Sequence, residues 1–376
     1  MAGFQGGSTH TIWSIQESQH SSSTALPEMK LPVLLVGTFL SSTLGNRSVC
    51  EDLAARLGAA HWLVLTTSER QGRLPRLLDM VSTVWCRRYD YAVAQVDVFS
   101  GPAFVWAEAV CQILCWVGKP YILTLRGGNL PAFAKSWPRR VRHLLGSAAV
   151  VTTPSRYLLE NLAHYCTNMR LLPNPLDLSA YKFKLRKQPQ PSLVWLRSFH
   201  SIYNPSLAPQ VLAHLVESFP DISLAMVGPD RGDGSLQAMQ QIATELGVAH
   251  RIMLPGRISK AEVTDWMSRG DIFLNTTNVD NTPISVLEAM ACGLCVVSTN
   301  VDGIPYLLEH EHDALLVPPN DPVAMATAVH RLLTEPGLAE RLSCNARQKV
   351  KQFDWSIILP QWEALLTSVM TMNSHE

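Results

Sequence analysis

The 376-residue chain has little charge and no excess of either sign: charged residues make up 16% of it, with 31 Lys and Arg against 31 Asp and Glu. A balanced chain has no overall field to attract nucleic acid, so any anionic ligand has to be held by local groups. No apolar stretch is long enough to span a bilayer. The longest, "GPAFVWAEAVCQILCWVG" (101–118), is interrupted by Glu108 and Gln112 and falls short of the ~20 residues a span needs, so it reads as a core helix. Residues 1–30 lack the charged start and apolar core of a signal peptide and read as a loose tail rich in Ser, Gln and Gly. "CGLC" (292–295) has no second Cys or His pair nearby to complete a metal site. "GTFLSSTLGNRS" (37–48) lacks the G-x-G-x-x-G spacing, which argues against a dinucleotide-dependent oxidoreductase.

Apolar residues, by contrast, reach 47%, as in a globular protein with well-buried sheets. The length exceeds what one compact core usually accommodates, so two domains are expected. The eight cysteines lie mostly inside apolar runs, which predicts buried thiols in a reducing compartment and a cytoplasmic protein. From residue 31 onward, continuous Val, Ile and Leu-rich runs alternate with amphipathic segments. "LPVLLVG" (31–37), "WLVLTT" (62–67), "YAVAQVDV" (91–98), "PYILTL" (120–125) and "AAVVTTP" (148–154) predict strands buried on both faces, hence a parallel sheet. "NRSVCEDLAARLG" predicts a helix closing on Gly58, and "SRYLLENLAHY" one capped by Ser155. After the proline-rich, basic stretch 171–192 the alternation restarts with "LVWLR", "ISLAMVG", "RIMLPG", "DIFLN", "CVVST" and "ALLVP". Two doubly wound α/β domains then face each other across a cleft, with ligands bound at the carboxyl ends of the strands.

The stretch "VDNTPISVLEAMACG" (279–293) carries the most chemistry. Thr282 is a candidate N-cap, and Pro283, Ile284 and Ser285 open a helix running to Ala291 and closed by Gly293. The free N–H groups of such a first turn favour phosphate. Glu288, about one and a half turns on, can face the same cleft, where a carboxylate accepts bonds from two vicinal hydroxyls such as those of a ribose. Its other reading is a loop cap or a salt bridge.

Asp280 and Glu288, seven residues apart and followed by "LEAMACG", resemble the E-x7-E signature of the retaining family 4 glycosyltransferases of GT-B architecture. The resemblance runs from residue 31 to about 365 through "GTFLSSTLGNRSVCEDLAARL", "GRISKAEVTDWMSRGDIFLN" and "NVDGIPYLLEHEHDALLVPPNDPVAMATAV". It implies a GT-B fold of two Rossmann-like domains, spanning 31–183 on the acceptor side and 184–354 on the donor side, with residues 355–376 a helix packing back on the first. It further implies a nucleotide-diphosphate-sugar donor, a glycan, lipid or small-molecule acceptor, and no metal or other cofactor, in keeping with the lack of an Asp-x-Asp cluster. Glu288 would hold the donor ribose, and Asp280, Asp where the pattern usually has Glu, would approach the sugar hydroxyls.

By the same resemblance Arg197 would neutralise the leaving diphosphate, while the family's usual Lys is replaced by Ile202. Arg126 occupies the place of a His; it cannot act as a base, and it is offered as a contact to an anionic acceptor group beside Gly127, Gly128 and Asn129. Gly45 is a candidate for close approach to the diphosphate or a plain turn residue, Asn46 and Arg47 are candidate acceptor contacts, and Arg257 is a candidate diphosphate contact or part of a simple turn. Lys135, Arg139, Arg140 and Arg142 around Trp137 form either a solvated helix face or a surface for anionic lipid, with peripheral membrane contact. The reading from a different class is a non-catalytic nucleotide-sugar-binding or scaffold protein of the same fold.

Overall fold

The structure, a computed structural model, describes residues 30–40 and 48–372. Each unbroken apolar run becomes a strand, because a strand covered on both faces buries most of its side chains in apolar surroundings. The first sheet contains β1 (Lys30–Val36), β2 (Trp62–Thr67), β3 (Val93–Val98), β4 (Tyr121–Leu125), β5 (Val150–Thr153) and β6 (Met169–Leu171) in the order 2-1-3-4-5-6. The second contains β7 (Ser192–Leu196), β8 (Ser223–Val227), β9 (Ile252–Gly256), β10 (Ile272–Asn275), β11 (Cys295–Thr299) and β12 (Leu315–Val317) in the order 12-11-10-7-8-9. All strand pairs are parallel. Strand order reverses between β1 and β3 in one sheet and between β7 and β10 in the other. Loops leaving those strands diverge to opposite faces, which opens a crevice at each reversal.

Helices α1 (Val49–Ala59), α2 (Arg73–Cys86), α3 (Phe104–Trp116), α4 (Leu130–Ser136), α5 (Pro138–Gly146) and α6 (Arg156–Leu162) belong to the first domain. Those of the second are α7 (Leu207–Leu215), α8 (Ser235–Glu245), α9 (Val263–Ser268), α10 (Ile284–Cys292), α11 (Ile304–Leu307), α12 (Pro322–Thr334) and α13 (Leu338–Val350). Helices α2 to α6 pack through Met80, Val84, Phe104, Val110, Val141 and Leu158 on one face of the first sheet. Its other face is covered by α1 and by the last helix, α14 (Trp355–Met372), whose Trp355, Ile358, Trp362 and Leu366 join Val33, Leu35, Leu53 and Leu57. The chain returns to the first domain where Trp355 N–H bonds the Leu176 carbonyl at 3.1 Å, and Glu363 then accepts the Trp62 indole N–H at 2.9 Å.

Two helix ends depart from the sequence reading. Helix α1 continues through Gly58 to Ala59, and the residue with positive φ that follows is His61 (φ 65°). Helix α10 starts at Ile284, because Pro283 sits at the N-cap in extended conformation (ψ 117°); Thr282 does not cap it. Ser155 does cap α6, accepting from Leu158 N–H at 3.2 Å. Of the cysteines, Cys50, Cys111, Cys292 and Cys295 are buried, whereas Cys86, Cys115 and Cys344 lie on the outward sides of amphipathic helices, and all are free thiols. Among the described residues no helix is long and apolar enough to cross a membrane.

Candidate active site

Arg197 leaves the carboxyl end of β7 and Asp280 lies in the loop leaving β10, so the two flank the strand-order reversal of the second sheet. They form an ion pair between Nη2 and Oδ2. Arg197 Nε is buried with no hydrogen-bond partner, and Nη2 and Asp280 Oδ2 are buried with no partner but each other. The pair stands between two cavities. Arg197 lines the first, of about 430 Å³, together with Arg257, Ile284, Ser285 and Glu288 from the second domain and Thr38 and Ser48 from the first. Asp280 lines the second, of about 550 Å³, with Arg126, Gly127, Gly128, Asn129 and Asn174 across from Tyr203 and Thr282.

Local bonds fix these loops. Tyr203 lies under the Arg197 guanidinium, 4.6 Å from ring centroid to Cζ, giving a cation–π contact. The turn carrying Tyr203 is tied to the loop after β10 by Thr276 Oγ1 donating to the Tyr203 carbonyl at 2.7 Å and Asn278 N–H to the Ile202 carbonyl at 2.8 Å. Gly228, at φ +148°, passes so close to Arg197 that a Cβ there would overlap the Arg197 carbonyl. Gly303 donates its N–H to the Asp280 carbonyl at 3.0 Å, and a Cβ there would overlap the backbone of Asn281.

Glu288 is 5% exposed on α10, and its Oε1 accepts the Tyr181 hydroxyl at 2.8 Å. Burial raises its pKa above the ordinary carboxylate value; the Tyr181 bond, followed by the charges of Lys260 and Arg197, opposes the rise. Burial likewise lowers the Arg197 pKa from its usual value.

Arg126 is committed within its own domain: Nε donates to Asp97 Oδ1 at 2.9 Å and Nη1 to Asn174 Oδ1 at 2.7 Å, with both charged side chains over nine-tenths buried. Only Nη2 remains, buried and without a partner. The sequence reading thus identified Arg126 but missed Asp97, Asn174 and Tyr181, which hold its and Glu288's groups in place. Gly45, Asn46 and Arg47 lie outside the described residues. Among the described residues, Glu309, His312 and Asp313 could converge on a cation, but they sit in the loop before the edge strand β12, and Asp313 already faces Lys349.

Of the ten buried side-chain N and O atoms without a hydrogen-bond partner among the described residues, Arg197 Nη2 and Asp280 Oδ2 face each other as the ion pair, and four more, Arg126 Nη2, Arg197 Nε, Thr282 Oγ1 and Ser285 Oγ, belong to residues lining the two cavities. Buried polar atoms are ordinarily satisfied, so their concentration along two adjoining cavities marks a site completed by a polar ligand. The helix N–H groups of α10, Arg197 and Arg257 suit an anion in the first cavity, and Glu288 suits hydroxyls.

Comparison with known proteins agrees with this architecture. The chain is 29% identical over 161 residues to the D-inositol 3-phosphate glycosyltransferase of Streptomyces bingchenggensis, covering 40% of this chain and 35% of that one. It is 25% identical over 166 residues to the protein of that name from Xylanimonas cellulosilytica, covering 44% and 39%. The matched region thus spans little more than a third of these curated relatives. Among solved structures, sucrose-phosphate synthase from Thermosynechococcus elongatus superposes with a TM-score of 0.76 at 18% identity, over 91% of this chain and 100% of that one. Anabaena Alr3699/HepE in complex with UDP and glucose superposes with a TM-score of 0.71 at 17% identity, over 90% and 100%. The shared fold is GT-B: two Rossmann-like domains facing across a cleft. Residues 179–349 of the chain match the family Glycosyl transferases group 1.

Proposed function

We propose that the chain is a retaining glycosyltransferase that moves a sugar from a nucleotide-diphosphate-sugar to an acceptor without a metal ion. The observation that carries this reading is the placement of Glu288, Arg197 and the amino end of α10 along the first cavity, with Asp280 and Arg126, whose Nη2 has no partner, lining the second. HepE, a structural neighbour, is described in complex with UDP-glucose. In the proposed pose Glu288 accepts the ribose hydroxyls, and the diphosphate lies on the Ile284 and Ser285 N–H groups against Arg197 and Arg257. Asp280 and Arg126 Nη2 contact the donor sugar or the acceptor beside Gly127, Gly128 and Asn129.

In this scheme the bond from the anomeric carbon to the phosphate oxygen breaks while a bond to the acceptor oxygen forms on the same face. The departing phosphate oxygen takes the acceptor's proton, so no side-chain base is needed, which suits Arg126 in the place of a His. Charge growing on the leaving oxygen is stabilised by Arg197 and the α10 N–H groups, groups already in place before reaction. The family's Lys is replaced by Ile202, which is 40% exposed and adds no charge. Incubation with a panel of nucleotide-sugars and acceptors, with chelator present and the product's anomeric configuration read by NMR, tests the reading. A product of retained configuration supports it. An inverted product or strict dependence on added Mg²⁺ contradicts it, and nucleotide binding with no turnover of any donor would make the chain a non-catalytic relative.

A further inference from the structure

Charge is balanced over the whole chain but not within it. From residue 70 to residue 146 there are eleven Lys and Arg and four Asp and Glu. Each of those carboxylates is engaged: Asp79 accepts from Thr67 Oγ1 at 3.3 Å, Asp90 pairs with Arg87, Asp97 with Arg126, and Glu108 with Arg140. The uncompensated charge of this segment is therefore cationic. Helices α2 and α5, with the turns beside them, carry most of it, and together with α3 they line one face of the first sheet.

The outer side of α2 is apolar where a soluble helix would be polar. Leu74, Leu78 and Trp85 are 66%, 63% and 48% exposed. Their spacing of four and then seven residues places them within about 40° of one another around the helix. Met80 and Val84, on the opposite side, enter the core. Tyr89, just past the helix, is 83% exposed, and Arg88 stacks over both aromatic rings, 5.0 Å from Trp85 and 4.5 Å from Tyr89. Arg70 and Arg73 border the amino end of the stripe with no ion pair among the described residues. On α3, which packs beside α2, Trp116 is exposed, and around α5, which packs on α3, Trp137, Lys135, Arg139 and Arg142 are exposed.

We propose that this face docks on an anionic lipid bilayer, with Leu74, Leu78 and Trp85 entering the headgroup–acyl boundary and the surrounding arginines meeting anionic headgroups. A line of aliphatic and aromatic side chains bordered by unpaired cations gains from both terms at once: apolar area leaves water, and cations enter a negative surface potential. Nucleic acid would match the cations but leave the leucine stripe without a partner. The sequence points to the basic segment around Trp137; the exposed apolar stripe lies on α2. The proposal is independent of glycosyl transfer.

Co-sedimentation of the full chain with vesicles tests it. The chain should pellet with vesicles of equal parts phosphatidylglycerol and phosphatidylcholine, and not with phosphatidylcholine alone. Joint substitution Leu74→Gln, Leu78→Gln and Trp85→Gln should lower binding by about tenfold or more with circular dichroism and thermal unfolding unchanged. Arg70→Glu with Arg73→Glu, which leaves the stripe intact, should weaken binding and flatten its salt dependence, and serves if the first variant misfolds. Absence of pelleting with the anionic vesicles, or equal pelleting of wild type and both variants, overturns the proposal. So does concentration-dependent self-association lost in the triple variant without any vesicle binding, which would make the face a subunit interface.

Discussion

Tyr181, in the connection between the domains, holds Glu288 of α10 by a 2.8 Å hydrogen bond across 107 residues of sequence. The bond commits Oε1 and leaves Oε2 for a ligand in the cavity that Glu288 lines. Tyr181→Phe keeps the ring and the carboxylate but removes the anchor. Nucleotide-diphosphate affinity should fall by tenfold or less, on the order of 1 kcal/mol, as measured by calorimetric titration. An unchanged affinity would mean that the bond serves packing alone.

The raised pKa of Glu288 makes a separate statement about stability. Its folded-state pKa lies above its unfolded value, so the ionised side chain opposes folding at neutral pH. That penalty is relieved on acidification, as pH falls through the raised folded-state pKa. Glu288→Gln keeps an acceptor for Tyr181 while removing the charge. The ligand-free variant should be as stable as the wild type or more so at pH 7, with the difference shrinking on acidification. Thermal unfolding of both proteins across pH measures this, and a clearly destabilised variant at pH 7 would contradict it.

Much of the fold was legible because strands covered on both faces must be written in Val, Ile and Leu, and each such run became a strand. Asp280 and Glu288 were legible because a short loop and a helix keep them at fixed spacing. Their partners were not: Tyr181 meets Glu288 across 107 residues, and Asp97 and Asn174 meet Arg126 across 29 and 48. Local spacing holds no trace of pairs brought together by topology. The start of α10 was misread for a local reason, since a proline in extended conformation displaces the cap from Thr282.

Arg197 and Arg126, both arginines of the cleft, should behave differently when removed. Arg126 spends two of its three nitrogens on Asp97 and Asn174, so it is poorly placed to replace the missing lysine. Arg197→Ala should lower kcat by about a hundredfold or more, and Arg197→Lys should recover part of it, because an ammonium cannot reproduce the planar fork on phosphate. Steady-state kinetics with the identified donor reads this. Near-normal turnover of Arg197→Ala with a dead Arg126→Ala would relocate the leaving group. A loss of tenfold or less that becomes complete only with Arg257→Ala would show that the two cations of the first cavity share the task.

In the proposed function the 430 Å³ cavity receives a nucleotide diphosphate with its ribose on Glu288. Titration of the wild type and of Glu288→Gln with a set of nucleoside diphosphates tests it most directly. At least one nucleotide should bind the wild type, and the variant should lose about 1.5 to 3 kcal/mol of that affinity, because an uncharged amide makes weaker bonds to the two hydroxyls. Equal affinity for wild type and variant, or no binding of any nucleoside diphosphate by the wild type, would contradict it.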